Sequence, residues 1–584
     1  MSKTRYNLCV VLTLVAYVAV HSFCINASYF SMDDFDELAY IQRMSNYWQL
    51  LRVDAFSLFR PVKNIMFAIF SFFGNENIMV SRMLAIAIGV VTYFPVLLFC
   101  RRVFDVPAAS IAAAAIYLLA PTQVSCVAWL SCINIQIMAG FCAMAIVLHD
   151  DGRYYLASLF YALALCSYEC AITLPGIMLL QDLLLRPGRH SKGWRTQIKP
   201  YLFYAATCVL YLAVRTSFSG TTNVHGSFPY DVSRAQIAFA SASFLWNHLF
   251  TWFWPFGGMA VMGYFSPWTA SSVKLGICWI LPIILLAVAI WCRKRRPVVS
   301  FGLLTFFAGY LPVSNITGIG NGPYGDYYLA LAGLGLAVAY TDVVCMCMLA
   351  CRRYKLIGFV ALILITIRLC AVPESARYAY LWGNDVLAYE SGARAFPASV
   401  NNRMMQLIAI SRVDESGLTK SLEDIEPELD KAHESKTGLY LLRALYAGNV
   451  RKDYAQAIEA VEDYRASLVF PPKGMAWYHY FKGCIVEDLG GDLDAAGEEY
   501  LKSIVVESPD RNFALYYDRA ARYLAIKGDV KRAIELWREA LFWDETRAAP
   551  HFNISIALEQ IGAKDEAAWH RQRAQELSSK VNSK

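Results

Sequence analysis

Over the first two thirds of this chain, apolar residues come in runs and do not alternate with polar ones. Between residues 7 and 372 the runs recur, each close to the ~20 residues that a helix needs to cross a bilayer. After Pro373 apolar positions fall three and four apart among charged ones, the period of amphipathic helices packed on a soluble core. The pattern predicts an all-α protein in three parts. Residues 1–372 form a polytopic helical membrane domain, 373–435 a linker with irregular helical segments, and 436–584 a soluble helical domain.

Basic residues order the runs, because cytoplasmic loops are enriched in Lys and Arg. Lys3 and Arg5 place the N-terminus in the cytoplasm. The first run has the look of a signal peptide, but no small-residue cleavage site follows, and it reads as an uncleaved span. Spans at about 8–23, 77–100, 107–120, 130–148, 154–167, 171–185 and 200–214 then return Arg101, Arg102 and the basic stretch from Arg186 to Lys199 to the inner side. If 236–254 also crossed, the cluster RKRR (293–296) would fall outside. Read as an interfacial or re-entrant helix ending in Trp252, Phe253, Trp254 and Pro255, it keeps the order. Four more spans, at about 273–292, 298–316, 325–350 and 356–372, make eleven. The soluble domain then lies outside, in a bacterial periplasm or the ER lumen.

Composition agrees with this reading and removes two others. Hydrophobic residues make up 57% of the chain, charged residues 17%, and mean hydropathy is +0.37, whereas a soluble domain carries roughly 25% charged residues. The net charge of +6 belongs to the basic loops, and no nucleic-acid partner is expected. Most of the 16 cysteines lie inside apolar runs, where they act as small hydrophobes, and only Cys484 follows Pro373. No Cys/His cluster has zinc spacing.

Candidate chemistry begins just outside the first span, in FSMDDFDELAYIQR (30–43). In a helix, Asp33 and Glu37 share a face at i, i+4, and Asp34 and Glu37 at i, i+3. Like charges so placed repel, so a cation, a substrate or a proton must offset them. Carboxylates at a membrane face suit deprotonation of an acceptor hydroxyl attacking an anomeric carbon; the plainer alternative is a helix cap from Ser31 or Asp33. Further along the same loop, Arg60 and Lys63 flank Pro61. They are placed to hold a lipid phosphate, or simply to snorkel at the interface.

Four short stretches, in order, carry a resemblance. They are MDDFDEL (32–38), FRPV (59–62), LCSYECAITLP (165–175) and GDYYLALAGLG (325–335). Together they resemble the first-loop Asp-Asp, aromatic-Arg-Pro, Lys-Glu-aliphatic-Pro and acidic-Arg-Tyr motifs of the GT-C glycosyltransferases. The organisation is similar to that of the transmembrane and tetratricopeptide-repeat O-mannosyltransferases and their bacterial relatives. Three departures stand out: Tyr168 replaces a lysine, Tyr327 replaces an arginine, and WLSCINIQ (129–136) lacks a Gly-Arg pair. The resemblance implies a sugar carried on a polyprenyl phosphate and transferred with inversion. It implies Asp33 as base and Asp34 as the group positioning acceptor or sugar hydroxyls, with the two roles exchangeable. Arg60, Lys63, Glu169, Asp326 and Tyr328 fall around donor phosphate and sugar, although Glu169 equally suits a salt bridge to a loop arginine. No cofactor is required; Asp33, Asp34 and Asp326 are a set able to hold one divalent cation.

The soluble part repeats. DLGGDLDAAGEEYLKSI (488–504), AIKGDVKRAIELWREAL (525–541) and EQIGAKDEAAWHRQRAQEL (559–577) align, with a weaker unit at YAGNVRKDYAQAIEAV (446–461). Gly491 to Gly528 is 37 residues and Gly528 to Gly562 is 34, in keeping with the tetratricopeptide period. Such an array binds peptide or protein, so it is expected to present a protein or glycan acceptor to the membrane site. Trp477, Tyr478, Tyr480, Tyr516 and Tyr517 suit the repeat core, or stacking on sugars. Competing readings are a transporter or flippase of lipid-linked sugars, which favours polar groups at midplane, and a non-catalytic membrane-anchored scaffold.

Overall fold

The computed structural model describes residues 2–25, 33–42, 44, 46–55, 58–74, 77–187, 194–219, 234–254, 271–316, 325–351, 354–383, 385–395, 406, 436–466, 471–488, 492–505, 513–543 and 547–582. Among them every regular element is a helix. The chain divides into two units, Met1–Ala409 and Ile410–Lys584.

Among the described residues of the first unit, seven helices are long and apolar enough to cross a membrane: Lys3–Ser22, Ile78–Val103, Leu130–Asp150, Ile198–Phe218, Ser272–Cys292, Asp326–Ala350 and Lys355–Trp382. Pro107–Leu118 and Pro121–Ala128 make an eighth only as a pair bent by 60°. Eleven spans, the number expected, are thus not clearly present among the described residues. The runs at 154–167, 171–185 and 298–316 form the helices Tyr154–Ser167, Leu174–Leu185 and Pro297–Tyr310, of 14, 12 and 14 residues. At 1.5 Å per residue each is roughly 18–21 Å long, against a hydrocarbon core of ~30 Å. Breakers cut them short: the 3-10 turn Glu169–Thr173 and Pro175 between the first two, and the turn Leu311–Val313 with Pro312 after the third. The 236–254 segment is the helix Arg234–Phe253 and is not one of the seven. The boundary read at Pro373 falls inside the helix Lys355–Trp382. The helix Asp385–Ala395 still belongs to the first unit.

Burial separates the spans into two kinds. Leu130–Asp150 and Asp326–Ala350 are 89% and 72% buried, whereas Ile198–Phe218, Ser272–Cys292 and Lys355–Trp382 are each 17% buried. The central pair is packed by neighbours along most of its length. The outer helices expose Ile283, Trp291, Phe359, Leu362 and Leu369, the surface that a lipid-facing helix has. Polar groups inside the core are shared between helices: Gln136 Nε2–H donates to Tyr17 Oη and to Thr92 Oγ1, both at 3.2 Å.

Pro297–Tyr310 packs on Leu329–Ala350 through glycine. A Cβ on Gly302 would lie 2.7 Å from both the Ala339 nitrogen and the Gly335 oxygen. Both are backbone atoms, which cannot rotate away, so the small residue is what permits this approach. Gly302→Val should therefore cost about 1–3 kcal/mol or more through overpacking. A lowered melting temperature and a broadened size-exclusion peak in detergent check it; unchanged values would show the two helices free to separate.

The second unit is a series of helix hairpins: Lys436–Tyr446 with Tyr454–Ala466, Pro471–Asp488 with Leu493–Val505, Phe513–Ile526 with Val530–Trp543, and Ala548–Gln560 with Lys564–Asn582. Each helix packs on the next in sequence, the arrangement of an α-solenoid. Glycine closes the third and fourth hairpins in the left-handed region, at φ 85° for both Gly528 and Gly562. There Asp529 N–H donates to Leu524 O and Gly528 N–H to Ala525 O, a Schellman turn. Asp529 then caps the next helix, accepting from Arg532 N–H at 3.3 Å. The first hairpin closes through a wider turn, the π-helical Ala447–Arg451 with Asp453 N–H donating to Ala447 O; Lys452 stands at φ 55° where the others have glycine, followed by the cap Asp453. This substitution is why that repeat is faint in the sequence.

The last hairpin holds a pair of buried histidines, His551 and His570, with Nδ1 atoms 2.8 Å apart. One Nδ1–H donates to the other ring, which a second proton would forbid. Burial holds His570 below its ordinary 6.5, with Arg538 adding to the effect and Glu566, 4.0 Å from Nε2, opposing it. A histidine depressed in the folded state contributes stability above its ordinary value and loses it as pH falls towards the folded value. Amide exchange across 548–582, corrected for intrinsic rates, should thus quicken as pH drops below about 6.5, and less so in His570→Asn; a flat profile would remove the pair from the stability of this repeat.

Candidate functional site

The first loop folds back on the core as the helix Asp33–Gln42, a 3-10 turn Tyr47–Leu51 and the helix Pro61–Gly74. Asp33 is the first residue of its helix, and its side chain lies outside the described residues. Asp34 is buried and its Oδ1 accepts from Ser131 N–H at 2.7 Å and from the Ser131 hydroxyl at 2.8 Å. One turn on, Glu37 is also buried, with Oε1 2.5 Å from Lys63 Nζ. The same ammonium lies 3.5 Å from Asp54 Oδ2. Asp54 in turn closes the loop, its N–H donating to Leu58 O at 2.7 Å and its Oδ1 accepting from Leu58 N–H at 2.9 Å. The shared face expected for Asp34 and Glu37 is therefore the inward face of the helix. The cation offsetting Glu37 is Lys63.

Arg60 reaches Glu169 as a two-pronged pair, Nε to Oε2 at 3.0 Å and Nη2 to Oε1 at 2.6 Å. Both side chains are 6% exposed. Burial alone would raise the Glu169 carboxyl, but the charge and hydrogen bonds of Arg60 outweigh it and hold the group below its usual range. The salt-bridge alternative for Glu169 is thus present, and its partner is the arginine from the aromatic-Arg-Pro stretch. Tyr168, standing where a lysine was expected, lays its ring 4.5 Å from Arg60 Cζ. The ring face of Tyr168 supplies a cation–π contact where a lysine would have added a second charge.

The fourth stretch opens the late helix Asp326–Ala350. Asp326 is buried, and its Oδ2 accepts from the Tyr378 hydroxyl at 2.6 Å. Tyr328 is buried edge-on to Tyr327, with centroids 4.7 Å apart. Tyr327 meets Trp129 at 5.8 Å, and Trp129 stacks on Trp382 at 5.7 Å. Trp129 lies two residues from the Ser131 that binds Asp34, and Tyr168 is within electrostatic reach of Tyr327 and Tyr328. The four motif stretches therefore converge on one region of the first unit. Among the described residues, no three His, Cys, Asp or Glu side chains are grouped to hold a metal.

Three residues of this region had no signal in the sequence. Ser131 sits in WLSCINIQ (129–136), a stretch notable in the sequence only for the Gly-Arg pair it lacks, and its contact with Asp34 marks it. His248, on Arg234–Phe253, donates from Nε2–H to Gly325 O at 3.0 Å and accepts from the Tyr310 hydroxyl at Nδ1 at 2.9 Å. Because a carbonyl only accepts, these two bonds set the tautomer. Arg82 is fully buried and donates to Cys24 O at 2.6 Å and Trp382 O at 3.2 Å. Trp382 is the last residue of the helix Lys355–Trp382 and Cys24 lies in the turn just after Lys3–Ser22, so the cation sits at the negative ends of two helix dipoles.

No family model matches the chain, and no curated protein matches it. Among solved structures, the chain superposes on MamA with a TM-score of 0.20 and 16% identity, covering 36% of this chain and 96% of that one. Against the Cut9–Hcn1 hetero-tetramer of the APC/C the TM-score is 0.28 at 13% identity, covering 89% and 87%. Against yeast Tom70 it is 0.25 at 12% identity, covering 75% and 92%. All three scores are low, and the repeat architecture rests on the helix hairpins and their turns.

Proposed function

We propose that this chain is a membrane glycosyltransferase that moves a sugar from a polyprenyl-phosphate donor to an acceptor at the extracytoplasmic face. The observation that carries this reading is the anchoring of the acidic helix Asp33–Gln42. Asp34 and Glu37 turn inward to Ser131 and Lys63, and their bonds fix the helix whose first residue is Asp33. Asp33 is the base: it takes the proton of the acceptor hydroxyl as that oxygen bonds the anomeric carbon. The bond from that carbon to the phosphate oxygen breaks, the electron pair leaves with the polyprenyl phosphate, and the configuration inverts. Arg60 uses Nε and Nη2 on Glu169, and Nη1 is the donor assigned to the leaving phosphate. Asp326 and Tyr328 border the sugar, and the repeat domain presents a protein or glycan acceptor.

One observation favours the scaffold reading instead. Both cations assigned to the donor, Arg60 and Lys63, are engaged by carboxylates of the chain itself. Membranes carrying the full chain, supplied with radiolabelled polyprenyl-phosphate sugars, separate the two. Release of sugar above that of membranes lacking the chain supports the transferase; none with any donor, while protein levels hold, leaves the scaffold.

A further inference from the structure

The first loop carries aromatic rings that its own fold leaves bare. Tyr47 and Trp48 open the 3-10 turn Tyr47–Leu51 and are 90% and 77% exposed, and Leu51 at its other end is exposed too. Phe72 and Phe73 are exposed at the end of the helix Pro61–Gly74. The turn is held firmly at its base. Buried Asn64 places Nδ2 at 3.1, 3.3 and 3.1 Å from the carbonyl oxygens of Leu50, Arg52 and Val53, and the Tyr40 hydroxyl donates to Val53 O at 3.0 Å. One amide and one phenol thus tie the turn to the helices on either side of it, Asp33–Gln42 and Pro61–Gly74. Between Asn46 and Val53 the only charged residue is Arg52, and it is exposed.

The depth of this loop follows from the helices it touches. Phe59, just before Pro61, stacks on Phe218 with ring centroids 5.7 Å apart, and Phe218 ends the membrane-length helix Ile198–Phe218. At its other end, Gly74 precedes by four residues the start of a second such helix, Ile78–Val103. Both ends of Pro61–Gly74 therefore meet the ends of spans. At 14 residues it is roughly 21 Å long, too short to join opposite faces of a ~30 Å hydrocarbon core. The two span ends then lie at one face, and the helix between them runs along the membrane surface. Apolar exposure continues from Phe72 and Phe73 onto Met79 and Met83 of Ile78–Val103. Tyr and Trp are the residues that membrane interfaces favour, apolar in the ring and wet at the O–H and N–H, and a lone exposed cation beside them suits the headgroup layer. We infer that the first loop is a membrane-surface anchor: Pro61–Gly74 lies in the plane of the outer interface, and the turn Tyr47–Leu51 sets Tyr47 and Trp48 among the lipids. The anchor rests on the helices of the first unit crossing a bilayer, and on nothing about sugar transfer.

Fluorine NMR of the full chain, labelled with fluorotryptophan and reconstituted in phosphatidylcholine nanodiscs, tests it. The resonance missing from Trp48→Phe is that of Trp48, and Trp291→Phe identifies Trp291, which is exposed on the membrane-length helix Ser272–Cys292. A phospholipid with a nitroxide near the headgroup end of its acyl chain should broaden Trp48 until its resonance is lost, and Trp291 with it. A water-soluble gadolinium chelate should broaden Trp48 less. Broadening of Trp48 by the chelate that equals or exceeds that by the lipid overturns the anchor, because the turn then stands in water. A Trp48 resonance that survives both agents overturns it as well, since another part of the protein then covers the ring. A lipid nitroxide that spares Trp291 along with Trp48 overturns the spans and the anchor together, whereas one that removes Trp291 and spares Trp48 overturns the anchor alone.

Discussion

Asp33→Asn should lower sugar transfer by about 10²–10⁴-fold, the usual worth of a positioned general base, with little change in melting temperature. Asparagine keeps the size of the side chain and still suits a helix start, so the change isolates the proton-accepting carboxylate. Asp34→Asn should behave differently. Its amide oxygen still accepts from Ser131 N–H and Oγ–H, but without the charge that makes such bonds strong, at a cost of about 1–2 kcal/mol. Transfer should then fall in step with stability. Initial rates and melting curves on matched preparations separate the two. If Asp33→Asn turns over like wild type and Asp34→Asn does not, the roles exchange; if both do, the acidic helix start is structural.

Periodicity made the two regimes and the repeat turns legible, because both are local properties. Gly528 and Gly562 sit at φ 85°, a conformation that glycine adopts freely and other residues resist, so the composition of the turn announces its geometry. Lys452 in the same conformation shows the limit, since nothing in its side chain signals the turn. Hydropathy took as spans three apolar runs that border or contain the turns Glu169–Thr173 and Leu311–Val313 and whose helices have 12 or 14 residues. Hydropathy averages over such breaks. At Pro373 the composition shifts within a helix that runs on to Trp382. At the candidate site, the acidic and basic residues were legible as types but not as pairs. The bond from Arg60 to Glu169 crosses 109 residues, and that from Asp34 to Ser131 crosses 97. No local pattern encodes such separations, which is why Ser131, Arg82 and His248 emerged only from the fold.

The Arg60–Glu169 pair yields the largest expected effect on stability. Removing either partner, as in Arg60→Met or Glu169→Leu, leaves a charge buried without its counterion and should destabilise the first unit by about 3–5 kcal/mol. Replacing both, in Arg60→Met/Glu169→Leu, removes two desolvated charges together and should recover most of that loss. The pH dependence follows from the depressed Glu169 carboxyl. A carboxylate lowered in the folded state contributes fully above its ordinary value of 4.5 and loses its contribution as pH falls through the folded value. Wild type should therefore lose stability below about pH 4.5 more steeply than the double variant, which has no carboxyl there. Melting curves of the three variants in detergent, from pH 7.5 down to 3.5, read both effects. Additive losses in the double variant would show that the two side chains do not stabilise one another. Transfer by the rescued double variant then decides what the pair is for. If stability returns and turnover does not, Arg60 acts on the donor as well as on Glu169. Turnover that returns with stability makes the pair a brace for the first loop, and leaves the leaving phosphate to another cation.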